Sequence, residues 1–239
     1  MCRTMESNNF DLHHKSILIV DDEADLREIV AGELEFMGSK VYQAENIQHA
    51  LDLLSKNSID LIISDIRMPG GSGIELLEIV KNKYGADFPF ILITGFADIT
   101  PMEAYGKGAE ALISKPFQLD ELFKIIMKNA KHKDERWSSE GIKTKKVIRP
   151  VNEKIIIGRG GASFFVDVSE RIDPGEAVSF ELELEGKRLS GTGICRWIKA
   201  LRPGSAILGL EFFSLEDESW KEISSLKRSN AFIPTAAEL

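Results

Sequence analysis

Asp60-Leu61-Ile62-Ile63-Ser64-Asp65-Ile66-Arg67-Met68-Pro69-Gly70 is the stretch on which the reading of the fold turns. Leu61, Ile62 and Ile63 form an apolar run of the kind found in a strand buried on both faces. The run ends on a carboxylate, Asp65, and the chain breaks at once into a Pro-Gly turn. In open parallel sheets, ligands bind in the crevice outside the carboxyl ends of the strands. An acid at that position is either a cap for the following loop or a chemical group, and the neighbouring segments decide between the two.

Working outward, Lys15 to Val20 reads as a buried strand that runs directly into Asp21-Asp22-Glu23. Leu26, Ile29, Val30, Leu34 and Met37 follow at helical spacing, and Gly38 is a helix stop. Val41 to Ala44 is a second strand, and Ile47, Ala50, Leu51 and Leu54 mark a second helix. Beyond Asp65, the glycines at 70, 71 and 73 surround a loop, and Ile74, Leu77 and Val80 mark a third helix. Phe90 to Ile93 is a fourth strand ending at Thr94-Gly95, followed by a short helix over 101–107. Ala111 to Ile113 is a fifth strand ending at Ser114-Lys115-Pro116-Phe117, and Leu119, Leu122, Phe123 and Ile126 give a last helix. Five strands alternating with five helices predict a parallel sheet covered on both faces.

The chain has 239 residues, enough for two medium domains, and is 43% hydrophobic and 28% charged. The formal net charge of -8 opposes general binding to a phosphate backbone, which favours surplus Lys and Arg. The two cysteines, Cys2 and Cys195, do not suggest a disulfide framework, and a reducing, cytoplasmic compartment fits. No apolar run reaches the roughly 18 residues of a membrane span, so no insertion is expected.

The polar groups at the carboxyl ends of the strands form a set. Strand one supplies Asp21 and Asp22, strand three Asp65, strand four Thr94 and strand five Lys115. Clustered carboxylates repel one another and need a cation, and an all-oxygen set with room for water suits Mg²⁺. One carboxylate can then act as a nucleophile towards a phosphoryl group, and Asp65 on the central strand is the candidate. Lys115 and the metal would neutralise phosphoryl oxygens, Thr94 would donate a hydroxyl hydrogen bond, and Gly95 would leave space for entry.

Residues 15–131 resemble a response-regulator receiver domain, on the motifs ILIVDDE, DLIISDIRMPGGSG, ILITG and GAEALISKPF. The resemblance implies a flavodoxin-like five-stranded parallel sheet in the order 2-1-3-4-5, which general accounts of this fold illustrate with a receiver protein. It implies a phosphoryl group accepted on Asp65 from a sensor histidine kinase. Mg²⁺ would be held by Asp21, Asp22, Asp65 and the backbone carbonyl of Arg67, with Thr94 and Lys115 reading the phosphoryl state. Lys115-Pro116 would be cis. One position departs from the family: Leu112 stands where an aromatic usually lies, three residues before the lysine.

The junction over 128–149 is rich in lysine and arginine, and after Gly141 the helical pattern gives way to short strands. Val178, Phe180, Leu182 and Leu184 alternate with Ser179, Glu181 and Glu183, as in a strand with one solvated face. Glu185-Gly186-Lys187 marks a hairpin turn, further strands follow over 190–199 and 206–213, and Leu215 to Leu226 predicts a closing helix. Six or so short strands suggest a small all-β antiparallel barrel. The expected organisation is a disordered tail over 1–14, the α/β domain over 15–131, a linker over 132–141, the barrel over 142–228 and a tail over 229–239.

The second half resembles the PilZ domain, on Gly160-Gly161, Ile172-Asp173-Pro174-Gly175-Glu176, FELELEG, GICRWI and LGLEFFSL. That family commonly binds cyclic di-GMP through an RxxxR element and a (D/N)xSxxG turn, whose guanidinium groups pair with phosphates and guanine edges. RxxxR is absent here, and Ile156 to Gly161 keeps only the final glycine of the second motif. Arg149 and Arg159 are the candidate substitutes. The resulting expectation is a two-component response regulator with a PilZ-like output that binds a downstream protein partner or forms a homodimer. DNA binding and turnover of an external substrate are not expected, self-phosphorylation and dephosphorylation apart. The alternative is a cyclic di-GMP effector using non-standard residues.

Overall fold

The computed structural model describes residues 12–85, 88–95, 98–130, 137, 141–167, 171–216, 223, 229 and 231–239. The chain forms two compact units. One comprises Met1–Leu76, Phe88–Phe96 and Ile113–Ala130, and the other Leu77–Asp87, Ala97–Leu112 and Lys131–Leu239.

The α/β half runs β1 (Ser16–Val20), α1 (Ala24–Phe36), β2 (Lys40–Ala44), α2 (Ile47–Lys56), β3 (Leu61–Asp65), β4 (Arg67–Met68), β5 (Gly71–Ser72) and α3 (Gly73–Tyr84). It continues with β6 (Phe90–Thr94), α4 (Pro101–Gly106), β7 (Ala111–Ser114) and α5 (Leu119–Ala130). The five-stranded sheet has the order β2-β1-β3-β6-β7. With the two-residue ribbon β4/β5 set aside, this is the expected 2-1-3-4-5. The pairs β1–β2, β1–β3 and β3–β6 are parallel. Every residue of β3 and β6 is buried, because helices cover both faces of a parallel sheet. Local chemistry fixes the helix starts. Asn46 caps α2 by accepting the His49 N–H, and Thr100 and Glu103 form a reciprocal capping box ahead of Pro101 in α4. α4 ends one residue short of the expected 101–107.

The β half contains β8 (Val147–Ile148), β9 (Ile155–Ile157), β10 (Gly161–Asp167), β11 (Ala177–Leu184), β12 (Lys187–Arg202) and β13 (Ser205–Leu215). The order is β8-β11-β12-β13-β10-β9, so β8 and β9 are the end strands and do not pair with each other. Among the described residues no ladder joins β8 to β9, and the Val151 N–H just past β8 donates to the Phe165 carbonyl of β10. β8 stops after two residues because Pro150 has no N–H to continue the ladder. β12 runs for 16 residues, with irregularities against β13 at Thr192/Gly193, Cys195/Trp197 and Ala200/Arg202. Such bulges increase twist and curl the sheet over its own core. Phe180 stacks on Phe212 with ring centroids 5.0 Å apart, and Trp137 meets Phe212 edge-on at 6.1 Å. Trp137, within the expected linker over 132–141, packs on this half as one of its core residues.

The C-terminal residues also depart from expectation. Ala231, Phe232 and Ile233 are buried rather than forming a tail. Their backbone is paired: Arg159 N–H donates to the Ala231 carbonyl and Gly160 N–H to the Phe232 carbonyl. A Cβ at Gly160 would lie 2.0 Å from the Phe232 ring, so glycine is what lets that ring in. Of the expected closing helix, Ile223 alone is described beyond Glu216, and it is helical and buried in the core. The rest lies outside the described residues, and Leu215 belongs to β13. Among the described residues no helix is long and apolar enough to cross a membrane.

Candidate functional site

Acids at the carboxyl ends of β1 and β3 meet at one side chain, Lys115, which follows β7. Its Nζ lies 2.8 Å from Asp65 Oδ1, 3.0 Å from Asp21 Oδ2 and 2.8 Å from Glu23 Oε1. Asp65 and Asp21 are 5% and 2% exposed, whereas Glu23 faces solvent. Two of these carboxylates end apolar strands, so the burial that builds the sheet also carries the acids inwards. Asp65 is fixed further by the Arg67 N–H, which donates to its Oδ2 at 2.7 Å. Behind it, Gly73 closes the ribbon: a Cβ there would lie 2.1 Å from the Asp65 carbonyl oxygen. Only glycine lets the start of α3 approach the acceptor strand so closely.

Thr94 is buried at the end of β6, and its carbonyl accepts the Lys115 N–H at 2.6 Å. The peptide between Lys115 and Pro116 is cis, as expected. Among the described residues, chain neighbours apart, a Cβ at Gly95 would meet nothing within 4 Å. Burial raises the Asp21 pKa above the ordinary carboxylate value, against the opposing Glu23 N–H and Lys115 ammonium. Burial works to lower the Lys115 pKa, but hydrogen bonds to Asp65, Glu23 and Asp21 outweigh it and the net shift is upward. This cluster is short of positive charge: one ammonium faces three carboxylates.

Asp22, expected among the metal ligands, is exposed and is not drawn into the Lys115 cluster. Glu23, which completes the acidic run after β1, pairs with Lys115 instead, a contact that was not expected. Among the described residues no group of three or more His, Cys, Asp and Glu side chains is placed to hold a metal ion. The inward-facing donor set is Asp21 and Asp65. These buried oxygen ligands, short of positive charge, fit a hard cation that takes few protein groups and keeps water.

The candidate nucleotide arginines are not brought together. Arg149 is exposed and pairs with Glu181 through Nε and Nη2, both at 3.0 Å. Arg159 is 5% exposed, with Nη1 2.8 Å from Glu110 Oε1 and Nη2 2.8 Å from the Gly108 carbonyl. Lys81 bonds both oxygens of the same Glu110 at 3.1 Å. Arg159 is therefore corrected from ligand candidate to anchor: its guanidinium is consumed inside the protein. Around it, Tyr105 packs on Phe232 with centroids 6.2 Å apart, and the Phe232 N–H donates to the Tyr105 carbonyl. Burial pushes the Tyr105 phenol up to about 12.

Residues 17–127 match the family model for the response regulator receiver domain. The chain carries a receiver domain. It is 40% identical over 110 residues to the phosphate regulon transcriptional regulatory protein PhoB of Pseudomonas aeruginosa, covering 45% of this chain and 48% of PhoB. It is 31% identical over 121 residues to the DNA-binding transcriptional regulator NtrC of Escherichia coli, covering 50% of this chain and 26% of NtrC. Among solved structures, the response regulator TrrA of Thermotoga maritima in complex with Mg(2+)-BeF is 34% identical, with a TM-score of 0.43. That match covers 48% of this chain and 98% of TrrA. The chain thus spans about half the length of PhoB and about a quarter of NtrC. The receiver match ends at residue 127, before the β half begins.

Proposed function

We propose that this chain is a two-component response regulator that accepts a phosphoryl group on Asp65 and answers through its β half by binding a partner. The observation that carries the reading is the convergence of Asp65, Asp21 and Lys115 at the strand ends of a receiver domain. In the step proposed, an Asp65 carboxylate oxygen attacks phosphorus on a kinase phosphohistidine. The P–O bond forms, the P–N bond breaks, and the leaving imidazole nitrogen is protonated by solvent. Asp21, Asp22, Asp65 and the Arg67 carbonyl would hold Mg²⁺, which supplies positive charge for the phosphoryl oxygens when bound. Lys115 moves from a carboxylate partner to a phosphoryl oxygen, and Thr94 donates its hydroxyl.

The output side rests on how the second unit is made. Residues 98–112, which follow Thr94 in the chain, share a unit with the β-sheet. Tyr105 of α4 is packed on Phe232, and Glu110 is tied to Arg159. A shift at Thr94 can therefore reach the sheet through the chain itself, although Leu112 replaces the family's aromatic. We assign the β half to a PilZ-like module that works by protein binding. Cyclic di-GMP gains no support, since Arg159 is buried and Arg149 is bound to Glu181. DNA binding belongs to NtrC by its name.

The test is hydrogen exchange on the whole chain with Mg²⁺, with and without beryllofluoride. The reading expects altered protection in 98–112 and in β9 and β10, abolished by Asp65→Asn. A change confined to residues 16–95 would separate phosphorylation from output, and no change anywhere would sink both.

A further inference from the structure

The end of the β-sheet carries a second feature. β8 pairs with β11 only at Val147–Ser179 and Ile148–Phe180, while β11 continues to Leu184. On its other side, β11 is paired with β12 along its whole length. The Ser179 N–H donates outwards to the Lys146 carbonyl. Strand geometry alternates these directions, so the Glu181 and Glu183 backbones face the same outer side. Pro150 ends β8 there: the Phe180–Ile148 pairing engages the Glu181 N–H, and beyond it the Glu181 carbonyl and the Glu183 backbone have no partner strand among the described residues.

That edge borders a cleft of about 1100 Å³, formed between 149–155 and 181–188. Its apolar lining includes Val151, 55% exposed, together with Ile155 and Leu184. Four carboxylates line it, from Glu153, Glu181, Glu183 and Glu185, against the guanidinium groups of Arg149 and Arg188. Both arginines lie against the same Glu181, at 3.0 and 3.4 Å. The lining therefore carries an excess of two negative charges. An unpaired strand edge is a template for an added strand, and natural sheets usually block or cover it.

We infer that this cleft is a docking site for an extended basic peptide segment of a partner protein, which adds as a strand to β11 at Glu181–Leu184. Main-chain hydrogen bonds to the β11 edge would hold the segment. Alternate side chains would settle on Val151, Ile155 and Leu184, and its lysines or arginines would meet Glu153, Glu183 and Glu185. The charge excess excludes acidic segments and polyphosphate ligands from the same place.

The probe is a fluorescein-labelled peptide of alternating lysine and valine, about eight residues long to match a typical strand. It is titrated against the whole chain at low salt and read by anisotropy. Saturable binding is expected, and none for the matching glutamate–valine peptide. N-methylation of the peptide amides that would face β11 removes backbone bonds and should weaken binding about tenfold. Glu183→Lys with Glu185→Lys should weaken it as well. Glu183→Pro should do the same while leaving the fold intact, because that N–H faces the cleft and not β12. Failure of the lysine peptide to bind overturns the inference, and so does equal affinity for the N-methylated peptide.

Discussion

Two clusters of charge in this protein use the same ingredients in opposite proportion. At Lys115, one ammonium serves Asp65, Asp21 and Glu23, and 20% of its side chain is exposed. At Glu110, one carboxylate, 3% exposed, is held by Arg159 and Lys81, which are themselves buried. The first has too little positive charge. The second is enclosed, with two cations on one carboxylate among the described contacts. A cluster short of cations can exchange a carboxylate contact for a phosphoryl oxygen or a metal. A carboxylate gripped twice in a dry setting has no such freedom, because breaking one contact leaves buried charge uncompensated. The comparison assigns switching to the first cluster and anchoring to the second.

The contrast breaks most visibly by mutation. Glu110→Ala should lower stability by about 3–5 kcal/mol, because it removes the carboxylate that Arg159 and Lys81 share in a buried setting, whereas Asp65→Asn, which relieves repulsion among carboxylates at Lys115, should cost far less. Urea unfolding of both variants checks this, and equal losses would erase the distinction between anchor and switch.

Cation binding gives the next largest effect. Mg²⁺ at about a hundredfold its Kd should stabilise the folded chain by about 2.7 kcal/mol, seen as a rise in Tm. Asp21→Asn should remove most of that rise, and Arg159→Ala should leave it intact.

A smaller effect concerns pH. The folded-state pKa of Asp21 is raised above 3.8, mainly by burial, so the folded chain holds that proton more tightly than the unfolded chain. Both states are protonated below 3.8, and this group then contributes nothing. Stability falls as pH rises from there through the raised value, and the loss persists above it. Without metal, Asp21→Asn should be more stable than the wild type at neutral pH, and the difference should vanish in acid. Denaturant midpoints across that range measure it.

The smallest effect is chemical. Burial pushes the Cys195 thiol up to about 12, so iodoacetamide at mildly alkaline pH should leave the Cys195 peptide unlabelled in the folded chain and label it after denaturation.

The switching cluster was more legible in the sequence than the anchoring one. Asp21, Asp65, Thr94 and Lys115 each follow an apolar run, so strand period and topology place them together before any coordinates are known. The Lys115 contact of Glu23 is not legible, because which of the adjacent acids turns to the lysine depends on the path of the loop after β1. Arg159 and Glu110 lie 49 residues apart in segments with no shared pattern. A buried arginine reads the same in sequence as an exposed one, so Arg159 stands beside Arg149 as a candidate substitute until its burial is seen. Phe232 was hidden for a related reason. An apolar triplet near a terminus acquires meaning only through the glycine at 160 that receives it. The short β8 was legible in Pro150, whose missing N–H ends it.

The phosphoryl acceptor is tested most directly by intact-protein mass after incubation with acetyl phosphate and Mg²⁺, followed by peptide mapping. The account predicts a single phosphoryl adduct, labile to hydroxylamine, located on Asp65 and absent from Asp65→Asn. An adduct that persists in Asp65→Asn, or a wild-type chain that forms none, would contradict it.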